Sequence, residues 1–281
     1  MTLNRPIRIV LALLLLPAAA ACQRGNDPVP ATPDPGPAAA AAPEPSAPVA
    51  AAEAPVSLED VIETDPRYVV GISYPPGAAA DPGLARALHG YAEAARAELM
   101  QAVSGLREKP TAPYELSLGF REVMRSSEVV AVAADGSLYT GGAHSQPLLA
   151  RFVWLPRQQR MLTAQDLLAS PEGWRSVADY VGEQLGAAAH TRAADEALES
   201  GDRERLLAVA LRMIDEGTRP VPENFAQFEP VPAADGRIAA LRFVFPPYQV
   251  GPYADGVQRV EVPAAVLKPL LAPDVSPLFV P

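Results

Sequence analysis

The chain has 281 residues, 49% of them apolar, which is enough material for a core in one large or two small domains. Its 33 Asp and Glu outnumber 23 Lys and Arg, and that balance argues against nucleic acid as a partner, because phosphate contacts need clustered cations. A single cysteine, Cys22, excludes an internal disulfide and any multi-cysteine metal site.

At the N-terminus, Arg5 and Arg8 form a positive start, Ile9 to Leu16 an apolar run too short to span a bilayer, and Ala18 to Ala21 a small-residue cleavage region. Residues 1–21 therefore read as a lipoprotein signal peptide, with Ala19-Ala20-Ala21-Cys22 as the lipobox and Cys22 as the lipidation site. Ala19 stands where leucine is usual, and an ordinary secretory signal is the alternative. Acylation of Cys22 would anchor the protein to a membrane through several acyl chains. Gln23, which is not aspartate, favours the outer membrane, with the folded part in the periplasm of the cell envelope. Loss of Arg5 and Arg8 leaves 21 cations against 33 acids, a net charge of −12.

Residues 22–56 are nearly all Ala, Pro and small polar types, the composition of a disordered, semi-rigid linker. At ~3.1 Å per residue this linker could reach on the order of 100 Å. The folded part is expected from about Leu58. Arg67 to Tyr74 reads as a strand stopped by Pro75-Pro76. Asp81-Pro82 then supplies an N-cap and an N1 proline for a helix with apolar positions Leu84, Leu88, Tyr91, Ala95, Leu99, Val103 and Leu106. Tyr114 to Met124 and Glu128 to Ala134 read as strands, and Asp135-Gly136 as a hairpin turn or as a bulge in one strand continuing to Thr140.

Tyr139-Thr140-Gly141-Gly142-Ala143-His144-Ser145 runs from a strand end into a glycine pair, where backbone can enter φ > 0. Leu148 to Leu155 reads as a strand, Arg157 to Arg160 as a polar connection, and Thr163 to Asp166 as a capping pattern. Helices follow from Ser170-Pro171, with Trp174, Val177, Val181 and Leu185 on one face, and over Asp202 to Glu216, with Leu206, Val209 and Met213 as the apolar positions. The chain then returns to strands over Phe225 to Pro230, Ile238 to Phe245 and Val257 to Val262, and a short helix follows to Leu271. Strands grouped apart from helices indicate an α+β fold: antiparallel sheets with amphipathic helices packed on one face, preceded by the disordered tether. The expected division is an N-terminal subdomain at 57–135, a C-terminal domain at 136–272 and a tail at 273–281.

Chemistry-bearing patterns are sparse. His89, His144 and His190 have no metal-pair spacing, and neither a nucleophile elbow nor a phosphate loop is present, so no metal, cofactor or catalytic residue is expected. His190 suits a helix C-terminus. Ser145 beside His144 would point to the opposite side in an extended segment. The acid pairs Glu59/Asp60 and Glu196/Glu199 lie in polar, helix-like surroundings. Phe245 to Gly256 is a second Gly-, Pro- and aromatic-rich stretch, in which Tyr248 and Tyr253 offer flat contact area on a proline-stiffened loop, or else pack down over the sheet edge.

Tyr139 to His144, Thr163 to Leu168, and Phe245 to Gly256 with Val260-Glu261-Val262-Pro263 resemble the domain of unknown function numbered 3298. Tyr68 to Met124 is similar, more weakly, to its N-terminal companion numbered 4163. Together they resemble the RsiV/PdaC-like extracytoplasmic family, here as a stand-alone lipoprotein. Family members bind lysozyme or precede a peptidoglycan deacetylase domain; this chain lacks the deacetylase metal motifs and has Arg157-Gln158 where a Thr-Gly turn is common. The resemblance implies a non-enzymatic binding module for peptidoglycan or a basic lysozyme-like muramidase, through Tyr139, Gly141, Gly142, His144, Tyr248, Tyr253 and Asp255. The rival readings are a cell-wall-modifying hydrolase using His144 and a structural envelope spacer without a ligand.

Overall fold

A computed structural model describes residues 56–194 and 199–281. The expected signal peptide, Cys22, the expected linker up to residue 55 and Glu196 lie outside the described residues. Strands β1 (Val61–Asp65), β2 (Tyr68–Ser73), β3 (Tyr114–Arg125), β4 (Val130–Tyr139), β5 (Gln146–Leu155) and β6 (Arg160–Met161) form one sheet in sequence order. Helix α1 (Pro82–Ser104) lies between β2 and β3 in the chain, and this crossover makes β2 and β3 parallel in an otherwise antiparallel sheet. Helices α2 (Ala164–Leu167), α3 (Gly173–Ala193) and α4 (Ser200–Gly217) precede an antiparallel sheet of β7 (Phe228–Pro232), β8 (Ile238–Phe245) and β9 (Gln258–Pro263); α5 (Ala264–Leu267) follows. The α+β class is thus as expected.

Alternation explains β3, where Leu116, Leu118 and Phe120 are buried between exposed Glu115, Ser117 and Arg121. Val130 to Ala134 of β4 are buried on both faces, as suits a strand covered on two sides. One face carries α1, whose buried Leu84, Leu88, Ala92, Ala95, Leu99 and Val103 pack with Leu116, Val132 and Trp154. The helix ends at Ser104, so Leu106 is not part of that stripe. On the other face, β7 lies against β3, β4 and β5, and the second core gathers Val153, Leu241, Phe243, Phe245 and the α3 residues Trp174, Val177, Val181 and Leu185.

Several expectations are corrected. Asp135-Gly136 is neither turn nor bulge: β4 runs through it in unbroken register, and the bulge lies in β3 between Glu122 and Met124. The reason is steric, because a Cβ on Gly136 would stand 2.1 Å from Ser117 O, so glycine is needed for strand approach rather than for turning. Glu59 and Asp60 lead into β1 rather than into a helix, and Asp60 accepts the Tyr74 N–H. Asp81 occupies the N-cap but makes no capping bond; its carboxylate pairs with Arg125 at 3.3 Å. Phe225 precedes β7 in a short 3-10 turn, and Arg160 pairs in β6, closing a hairpin that holds Gln159 at φ 51, the left-handed region where glycine sits at no cost. In α4 the buried residues are Ile214 and Gly217, with Leu207 and Ala210 partly buried, whereas Leu206 and Val209 are exposed.

The expected boundary at 135/136 falls inside β4, and the described residues belong to one compact unit. The nominal tail is tied in, with Val275 and Phe279 buried and Val280 N–H donating to Ile238 O.

A buried ionic cluster joins the two sheets. Arg151 of β5 has a side chain only 2% exposed, and its Nη1 donates to Ala134 O and Ala150 O while Nη2 reaches Asp135 at 2.9 Å. Its Nε is 3.0 Å from Glu229 Oε2 of β7, an ionic contact in which the N–H does not align as a hydrogen bond. Arg242 of β8 donates to the other Glu229 oxygen at 2.7 Å, and also to Glu261 of β9.

Two pairs of substitutions test this packing. Glu229→Ala removes the buried partner of the Arg151 cation, leaving it only the half-exposed Asp135, and costs about 3–5 kcal/mol in urea unfolding; Asp135→Ala, on a carboxylate 47% exposed, costs under ~1 kcal/mol. Gly83 of α1 lies where a Cβ would stand 2.2 Å from Trp154, so Gly83→Ala destabilises by about 1–3 kcal/mol. The exposed Gly90, with nothing within 4 Å, gains about 0.5–1 kcal/mol from the same change, read as opposite shifts of the unfolding midpoint.

Candidate functional site

The β4–β5 connection is shaped by its glycine pair. Gly141 and Gly142 take φ 96 and 103, left-handed values that let the chain fold back beside Tyr114 and Tyr139. The Tyr114 ring lies 3.5 Å from the Cβ position of Gly141, the Tyr139 hydroxyl donates to Gly142 O at 3.4 Å, and the two rings meet edge-on at 6.4 Å. His144 emerges exposed from this support.

The β8–β9 connection comes to meet it. Tyr248 is 64% exposed and holds φ 73, a strained conformation for a residue with a Cβ. Its N–H donates to Gly251 O, and Gln249 N–H to Pro246 O, so the segment is a tight closed turn. Gln249 Nε2 donates to Gly217 O at 3.0 Å and to Asn224 O at 2.8 Å, tying the turn to the end of α4. Gly217 permits that approach, since a Cβ there would be 2.1 Å from Gln249 O. Tyr253 to Asp255 form a 3-10 turn, Asp255 pairs with Arg192 near the end of α3 at 3.4 Å, and Gly256 at φ 64 turns the chain into β9.

Tyr253 joins the two connections. Its ring stacks on His144 at 4.9 Å and 30°, lies 5.7 Å from Tyr248 at 36°, and its hydroxyl donates to Ser145 O. The structure thus brings His144, Tyr248, Tyr253 and Asp255 into one neighbourhood, with Tyr139, Gly141 and Gly142 as the scaffold of one loop. Tyr253 itself is half-buried, so the freely offered aromatic surface belongs to Tyr248 and His144. Beside Asp255 opens an apolar cleft of about 140 Å³, lined by Ala189, Ala193, Leu206, Val209 and Pro252.

This arrangement supports ring stacking and apolar contact. Ser145 contributes its backbone carbonyl to Tyr253, and no cluster of three or more His, Cys, Asp or Glu suited to a metal occurs among the described residues. His190 lies in the last turn of α3, where a positive charge is favourable. Sequence reasoning missed Tyr114, Arg192 and Gln249, which position the loops. Only Gln249, inside the tyrosine stretch, carried any local signal, because the partners of all three come from distant chain segments.

Removing the Gln249 amide tests the anchoring. Gln249→Ala leaves the Gly217 and Asn224 carbonyls without this donor and is expected to cost about 1–3 kcal/mol locally. Amide exchange at Tyr248 to Gly251 accelerates, while that of the α3 core around Val177 stays unchanged.

No curated protein matches the chain. Among solved structures, one of a DUF3298 family member from Bacteroides fragilis is 17% identical, covering 71% of this chain and 70% of its own, with a TM-score of 0.43. Another, a DUF3298 family protein from Pseudomonas aeruginosa PAO1, is 15% identical, covering 77% of this chain and 94% of its own, with a TM-score of 0.49. Residues 237–265, which span β8, the tyrosine loop and β9, match the family described as "Protein of unknown function (DUF3298)".

Proposed function

We propose that the chain is a non-catalytic envelope lipoprotein, anchored through Cys22, whose folded part binds the glycan of peptidoglycan on the surface formed by Tyr248, Tyr253 and His144. The observation that carries this reading is the contact between His144 and Tyr253, two rings 109 positions apart, with a strained and exposed Tyr248 beside them. Aromatic faces held at low entropic cost suit the apolar faces of sugar rings. The match over residues 237–265 includes Tyr248, Tyr253 and Asp255, and the resemblance of the sequence motifs to an extracytoplasmic family suggests the cell-wall setting. The acidic balance of the chain favours a second reading, a basic lysozyme-like muramidase as the partner.

Cosedimentation of the purified protein with sacculi, and titration with a basic lysozyme, separate the two readings. Tyr248→Ala is expected to weaken binding about tenfold or more with little change in Tm, since the ring is a solvent-facing contact. Tyr253→Ala lowers both, because that ring also holds the loops together. Binding to neither partner would remove the proposal. For the anchor, Cys22→Ser abolishes metabolic labelling with a fatty acid and releases the protein from the membrane fraction; unchanged labelling would sink it.

A further inference from the structure

Strand β1 ends the six-stranded sheet, and among the described residues it pairs with β2 alone. Every second residue of Val61–Asp65 therefore turns its N–H and C=O outward without a strand partner, the template that strand addition uses. The usual blunting devices are weak here. The five residues include no proline and no lysine, and the pairing with β2 has no register shift. The two charges on β1 are satisfied internally: Glu63 takes Arg96 at 2.9 Å, and Asp65 takes Arg67 at 3.0 Å.

Ile62 projects from this edge and is 87% exposed, more than any other large apolar side chain described. Its cross-strand partner on β2 is Gly71, which has no side chain and nothing within 4 Å of its Cβ position. Its direct partner Gly71 offers Ile62 no cover, so a strand added outside β1 is the element placed to provide it.

The approach to the edge is acidic. Ser57 to Asp65 contains Glu59, Asp60, Glu63 and Asp65 and no cation. Glu93 of α1 contributes to the same field: burial, and then the charges of Glu93 and Asp60, hold the Tyr74 phenol above its ordinary range. Arg67 and Arg96 offset two of these five carboxylates and leave the edge negative.

We propose that β1 is a docking edge for an extended, basic polypeptide segment of a partner, which adds as a seventh strand and sets an aliphatic side chain against Ile62. Backbone pairing supplies the affinity, Ile62 the apolar contact, and the acidic approach selects for Lys and Arg. This surface shares no residue with the aromatic loops, so it stands or falls independently of the ligand proposed there.

The full chain is titrated with a synthetic peptide of alternating lysine and valine. Saturable binding that weakens with salt is expected, and Ile62→Lys lowers the affinity about tenfold or more without moving Tm. N-methylation of one of the two alternating sets of peptide amides abolishes binding, and methylation of the other is tolerated. Equal tolerance of both sets means charge adsorption alone and overturns the proposal, as does absence of binding. Concentration-dependent self-association that Ile62→Lys removes assigns the edge to a second copy of this chain, and overturns it likewise.

Discussion

Arg151 and Glu229 come from strands 78 positions apart and meet at 3.0 Å between the two sheets, each side chain under 5% exposed. Taking two charges out of water costs more than one ionic contact returns, so such a pair persists only when the remaining valences are filled. Here Ala134 O, Ala150 O and Asp135 complete the Arg151 side, and Arg242 completes Glu229. An alternative packing of β7 on the larger sheet would break the Arg151–Glu229 contact and leave each buried charge with one ionic partner, Asp135 for Arg151 and Arg242 for Glu229. The pair therefore selects a single placement of the small sheet, and Gln227 reinforces it by accepting the Arg151 N–H and passing its own carbonyl to Val244 N–H.

The recognition surface is a consequence of that placement. His144 leaves β4 and Tyr253 precedes β9, and the rings can stack only because the sheets that bear them are held in one register and orientation. Each loop is then braced from outside itself: the glycine pair against Tyr114, the tyrosine turn on Gly217 at the end of α4 and on Asn224 in the 3-10 turn before β7, and Asp255 by Arg192. Bracing of this kind maintains Tyr248 at φ 73 while its ring stays in solvent. Strain and exposure of one aromatic residue, carried by a well-supported loop, suit contact with a ligand better than they suit stability.

The two surfaces present different chemistry. The aromatic loops offer rings and an adjoining apolar cleft, whereas the β1 edge offers unpaired backbone groups and negative potential. Helix α4 adds to the first of these, since Leu206 and Val209 lie on its open side while Leu207, Ala210 and Ile214 face the protein.

Local patterns determined much of the fold. Apolar spacing in α1 marked Leu84, Leu88, Ala95, Leu99 and Val103 correctly, and alternation marked the inward face of β8, because a helix or strand with one covered face records that face in its own period. The two glycine- and aromatic-rich stretches were also visible as places where backbone leaves regular structure. Tertiary structure alone decided the parallel pairing of β2 and β3, the straight passage of β4 through Asp135-Gly136, which face of α4 is covered, and the meeting of His144 with Tyr253. Each of these depends on what another segment, tens of residues away, places against the chain: Ser117 O beside Gly136, α3 beside Leu207, Gln249 O beside Gly217. A residue's own neighbours in sequence carry its conformational preference, but they carry no record of the surface that folding brings to it.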